Sequence, residues 1–214
     1  MVKLAKYLFL AGGFALLAAP PVEAAEPTAT ETAALGKVDP RPVIESFNQT
    51  LLSVMKSADQ LGYDGRYNRL EPAIKRTFNV PLMTRIVVGS AWNNWSQAQR
   101  DQVTDAFGRF IIATYARRFD GYSGEQIIVD GTRDSGGGTL VMTEITRPSD
   151  TPVTLNYLMR DNGSGGPQAV DVFLTGTISE LATRRSEFGA VLERDGFNGL
   201  IAMLAKKADN QASP

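Results

Sequence analysis

The chain has 214 residues, a formal net charge of −1, no histidine and no cysteine. Without those two residue types there is no Ser-His-Asp triad, thiol nucleophile, disulfide, zinc-thiolate site or histidine metal ligand, and no metal or other cofactor is expected. Basic residues cluster no further than pairs such as Arg117-Arg118, which argues against a nucleic-acid partner, since that needs a concentrated cationic face.

The N-terminus reads as an export signal. Lys3 and Lys6 precede an apolar run from Tyr7 to Ala19, which falls short of the roughly 20 residues that span a bilayer. Val22-Glu23-Ala24 then supplies small residues before a cleavage point. The expectation is a signal peptide over 1–24 and an exported, periplasmic chain. Residues 25–38, rich in Ala and Thr, should form a disordered leader. Residues 39–208 should make one domain, and 209–214 a disordered tail.

Asp39 followed by Pro40 predicts a helix start. Val43, Phe47, Leu51 and Val54 then recur at helical spacing, to about Asp59. A turn and a short helix bearing Leu70, Ile74 and Phe78 should follow, with Pro72 near its start. Asn79 caps another short helix, stopped by Gly89, that buries Leu82, Met83, Ile86 and Val87. Ser96 and Gln99 form a capping box for the longest helix. Its apolar stripe is Val103, Phe107, Phe110, Ile111 and Tyr115, and it ends near Arg117-Arg118.

The texture changes after Gly124. "EQIIVDGT", "TLVMTEIT", "VTLNYLMR" and "QAVDVFLT" are β-rich runs separated by the turn-forming "RDSGGG", "RPSDTP" and "DNGSGGP". Four sequential strands predict an antiparallel meander. In the third, Val153, Leu155, Tyr157 and Met159 form an apolar face that needs a cover. Thr177 to Glu180 reads as a second capping box, opening a helix to about Glu193. After a break at "RDGFNG", a last helix runs to about Ala208. Helices, then strands, then helices predict an α+β fold, with a sheet of four strands or slightly more covered by N- and C-terminal helices.

Several local motifs are better explained by structure than by chemistry. Ser53 and Lys56 match S-x-x-K, but the partner motifs S-D-N and K-T-G are missing. The glycine-rich runs 135–139 and 162–166 lack the Lys-Ser/Thr of a phosphate loop and suit hairpins. Gly176 and the hydroxyls after it suit a helix cap better than an anion site. Asp171, an acid inside an apolar strand, is expected to pair with an Arg or with backbone amides.

Apolar residues from separate elements should converge between the sheet and the helices. The short and long helices contribute Met83, Ile86, Val87, Phe107, Phe110, Ile111 and Tyr115. Met142, Leu155, Tyr157, Val172 and Leu174 come from the strands, and Met203 from the last helix. The pattern alone fits either a dry core or the wall of an apolar ligand cavity.

The order of these motifs resembles the MlaC-type periplasmic lipid-binding proteins, historically the toluene-tolerance family, and within them the hopanoid-associated HpnM branch. The resemblance rests on Gly89, Trp92, Ser96 with Gln99-Arg100, and Tyr115. It rests further on Asp171-Val172, Gly176, Arg184-Arg185 with Phe188, and Asp195-Gly196-Phe197 through Leu200-Ile201. The chain departs from the family pattern at Val80-Pro81, where Phe-Asp is frequent, and at Gln168-Ala169, where an aromatic-basic pair is. The resemblance covers roughly 40–207. It implies a non-catalytic shuttle that holds the acyl chains of a phospholipid, or a hopanoid-related lipid, in that cavity. Its implied partners are an inner-membrane lipid transporter and an outer-membrane lipoprotein complex, with transient membrane contact and a role in outer-membrane lipid homeostasis. Two other readings stay open: an adaptor with a dry core, and a small acid–base enzyme using Asp171 with Tyr157 or Tyr115.

Overall fold

The computed structural model describes residues 38–148, 150–163 and 165–212. The expected signal peptide and nearly all of the expected leader lie outside them. Helix α1 (Arg41–Lys56) buries Ile44, Phe47, Leu51 and Val54. It begins one residue later than expected, with Pro40 at the cap position, while Asp39 Oδ1 still accepts from the Arg41 amide at 3.0 Å. Ser53 and Lys56 are exposed.

The expected turn after α1 is instead mostly helical. Helix α2 (Ala58–Thr77) is interrupted only at Gly62, whose φ of 59° and ψ of −173° suit a residue without a Cβ. Pro72 therefore sits well inside the helix and not near its start. Pro72 and Asn68, four residues before it, are both exposed, so water can serve the carbonyl that loses its donor. Leu70, Ile74 and Phe78 are buried, as their spacing requires.

Helix α3 (Val80–Val88) is capped by Asn79, whose Oδ1 accepts from the Leu82 amide at 3.1 Å. It ends at Gly89, with φ 61°, and a 3₁₀ turn follows over Gly89–Asn94. Helix α4 (Gln97–Arg118) opens with both halves of the Ser96–Gln99 capping box in place.

Strands β1 (Gln126–Ser135), β2 (Gly138–Thr146), β3 (Val153–Asp161) and β4 (Pro167–Leu174) pair antiparallel in chain order, and the two-residue β5 (Ile178–Ser179) adds a fifth. The glycine-rich runs fall at the β1–β2 and β3–β4 connections. At the free side of β4, the Asn79 amide donates to the Ala169 carbonyl at 2.9 Å and joins the sheet to the α2–α3 junction.

Helix α5 (Glu180–Ala212) breaks at Gly196, with φ 66° and ψ −164°, inside the expected interruption. Two expectations are corrected here. The helix starts at Glu180 and not at Thr177, because Ile178-Ser179 pairs with β4. It also continues through 209–212, part of the expected tail, since no glycine or proline stops it there.

A sheet-to-helix interior as the candidate functional site

Cross-strand register assigns the strand residues to faces. Val141, Tyr157 and Val172 stand opposite one another on β2, β3 and β4, and Leu155 pairs with Leu174 two residues along. This inner face meets α1, α2 and α4. Tyr157 is 0 % exposed, and its ring lies 6.2 Å from both Phe47 of α1 and Phe78 at the end of α2. Tyr115 of α4 completes a four-ring cluster, 5.5 Å from Phe47 and 5.7 Å from Phe78, and stacks on Phe119 at 5.6 Å. Although it packs on three buried rings, Tyr115 is only half-buried, so one side of it borders open space.

Twelve of the thirteen residues expected to line the interior join one apolar cluster. Met83, Val87, Phe107, Phe110, Ile111, Leu155, Tyr157 and Val172 are buried, and Ile86, Tyr115, Leu174 and Met203 are half-buried against them. Met142 does not join. It alternates with the buried Val141 and Thr143 and lies across from Gly131 on the outer face. Sequence reasoning placed Phe47 and Phe78 on buried stripes but not in this ring cluster. It missed Arg66 altogether. That buried guanidinium donates from Nε to the Ala116 carbonyl at 2.9 Å and from Nη1 to the Ala58 carbonyl at 3.2 Å. It ties α2 to α4 at the residue after Tyr115.

The interior is apolar but not free of polar atoms. Burial pushes the Tyr157 phenol well above its ordinary pKa, and Tyr115 beside it adds to the effect. Burial likewise raises Tyr115, partly offset by its interaction with Tyr157. Both phenols therefore stay protonated across any physiological pH. The two hydroxyls face each other at the limit of hydrogen bonding, and no other polar group reaches that of Tyr157. Thr143 Oγ1 and both amide atoms of Asn48 are buried without a partner.

Asp171, the candidate base of the enzyme reading, is fully engaged in structure. Its Oδ1 accepts from the Val172 amide at 2.7 Å and the Leu181 amide at 3.0 Å. Its Oδ2 accepts from Ser179 Oγ at 2.6 Å, and that hydroxyl accepts in turn from the Ala182 amide at 2.9 Å. The pair Asp171–Ser179 thus caps α5; of the two hydroxyls expected to cap it, Thr177 and Ser179, Ser179 does so. The backbone-amide alternative foreseen for Asp171 is the one realised, and neither oxygen is left over for proton transfer.

Two surface depressions border this interior, touching it at Met159 and at Phe47. One, of about 530 Å³, sits at the β1–β2 turn beside Arg160 and Pro40, and the other, of about 210 Å³, lies along α1 near Thr50 and Arg76. Neither is lined by any of the thirteen residues. No helix among the described residues is long and apolar enough to cross a membrane.

Comparison with known proteins adds the deciding observation. The family model described as MlaC protein matches residues 45–206, from α1 into the second half of α5. The chain belongs to the MlaC family. A curated relative, the intermembrane phospholipid transport system binding protein MlaC of Haemophilus influenzae, is 22 % identical over 125 residues, 57 % of this chain. The match spans 58 % of that relative's length. Among solved structures, a phospholipid-binding protein from Ralstonia solanacearum, in complex with a phospholipid, superposes with a TM-score of 0.71 at 19 % identity. That superposition covers 82 % of this chain and all of the other, and it shows that the two share a fold.

Proposed function

We propose that this MlaC-family protein is a periplasmic lipid carrier. In this reading it takes a phospholipid, or a hopanoid-related lipid as in the HpnM branch, from an inner-membrane transporter to an outer-membrane lipoprotein complex. The acyl part sits between the inner face of the sheet and helices α3, α4 and α5. Tyr115, Tyr157, Phe110, Met83 and Met203 belong to its wall, and no step of catalysis is involved.

The observation that carries this reading is the convergence of twelve apolar side chains from five elements, in a fold shared with a protein solved around a phospholipid. Burial of hydrocarbon supplies the affinity. Each methylene withdrawn from water contributes about 0.8 kcal/mol, so one or two long chains hold a lipid without a covalent step. The test is native mass spectrometry with lipid extraction, on mature protein isolated from the periplasm without detergent. A discrete mass increment that extracts as lipid is the expected result. An apo mass that persists after incubation with phospholipid vesicles would overturn the carrier reading and leave the dry-core adaptor.

A further inference from the structure

Buried polar atoms with no partner are costly, and native interiors contain few of them. Three residues on the inner face of the sheet and on α1 carry such atoms with few or no partners. The Tyr157 hydroxyl projects from the inner face of β3 with no exposure, and only the Tyr115 phenol is near enough to pair with it. Thr143 Oγ1 lies on the same face, two residues along β2 from Val141, the register partner of Tyr157. Asn48 follows Phe47 on the covering helix, is 4 % exposed, and leaves both its amide nitrogen and its amide oxygen unmatched. Phenylalanine fills the neighbouring positions of the same ring cluster, so packing alone does not require hydroxyls at Tyr115 and Tyr157. Tyr115, the neighbour of Tyr157, is itself only half-buried.

We infer that the lipid's buried part brings an oxygen function, a hydroxyl or a carbonyl, to Tyr157 and Tyr115, and that this pair makes the protein selective for such cargo. The inference rests on the carrier reading and deepens it. Phenol, hydroxyl and amide can each donate and accept, so the chemistry fits a neutral oxygen and not a charged group. Two sources supply that oxygen: the ester carbonyls of an ordinary glycerolipid, or a hydroxyl set within the hydrocarbon. A cargo offering neither leaves the two phenols only each other to bond, and sites built to bond a polar atom discriminate strongly against analogues that lack it.

The experiment is competitive loading of the full chain. Vesicles hold equal parts of three phosphatidylcholines: distearoyl ester, distearoyl ether, and ester-linked 12-hydroxystearoyl. The protein is re-isolated and its extracted lipids are quantified. The expected result is enrichment of an oxygen-bearing probe over the ether lipid by about tenfold, in line with the cost of one unmatched buried group. Enrichment of both ester lipids alike points to the carbonyl, and enrichment of the hydroxystearoyl lipid alone points to a mid-chain hydroxyl. Tyr157→Phe should bring the ratio toward one, with Tyr115→Phe as a second variant should the first fail to fold. A merely structural phenol would lower the melting temperature without moving that ratio. Equal loading of all three probes by the wild type overturns this inference alone, including the case in which an internal water serves the hydroxyls. Loading of none of them overturns the carrier reading as well.

Discussion

The two faces of the sheet are built from the same strands and do different work. On the inner face Val141, Leu155, Tyr157 and Val172 are almost wholly withdrawn from water beneath α1, α2 and α4. On the outer face Ile128 is 44 % exposed, and Met142 and Glu144 are half-buried. Alternation gives each strand two chemistries, and the helices select one. What distinguishes the faces is not apolar content alone. The outer face carries the charged fastener, Asp171, while the inner face carries aromatic rings and the orphaned hydroxyl of Thr143.

Substitutions on each side put this contrast to the test. The largest effect is expected at Phe47, which touches three other rings of the inner cluster. Phe47→Ala should lower unfolding free energy by about 3–5 kcal/mol in a urea melt. Met142→Ala on the outer face should cost less than about 1 kcal/mol. Comparable losses at the two positions would break the division between faces.

Asp171→Ala should come next, at about 1–3 kcal/mol, because it strips an acceptor from the Leu181 amide and a partner from Ser179. Hydrogen exchange should speed up in the first turn of α5 and leave α4 unchanged. Protection lost across the whole inner cluster would mean that Asp171 does more than hold this helix end.

The smallest effect concerns the two segments of α5 on either side of Gly196, joined by Lys207 to Glu187 at 2.6 Å. Burial alone would raise the Glu187 carboxyl, but its bonds to Lys207 and Arg184 outweigh that and leave it below its ordinary value. The sign follows from the depressed value: the contribution is complete above the unfolded carboxylate pKa and fades as pH falls through the lower, folded one. Glu187→Gln should therefore cost about 0.2–1 kcal/mol at neutral pH. The gap from wild type should close in acid, and a gap that widened there would contradict the assignment.

Much of the fold was legible because local chemistry decided it. Asn79, Ser96 with Gln99, and the glycines at 89 and 196 each sit where a cap or a break is needed. The misplacements have a common cause in non-local contacts. Thr177 and Ser179 are equivalent as caps in one dimension, and only the neighbouring strand, carrying Asp171, favours Ser179. On β2 the sets Val141–Thr143–Ile145 and Leu140–Met142–Glu144 both hold two apolar residues, so pattern alone could not settle which faced inward. The orphaned atoms of Thr143 and Asn48 left no trace in the sequence, because having no partner is a property of the packed state.

Each strand pairs only with its neighbour in the chain. The sheet can therefore assemble by closing short loops, at little entropic cost per step. Docking α5 on α3 and α4 is another matter, because the entire meander must be looped out before those helices touch. Contacts so distant along the chain set the pace of folding. A folding chain should hold its sheet early and gain its covered interior last, with its apolar inner face exposed in the interval.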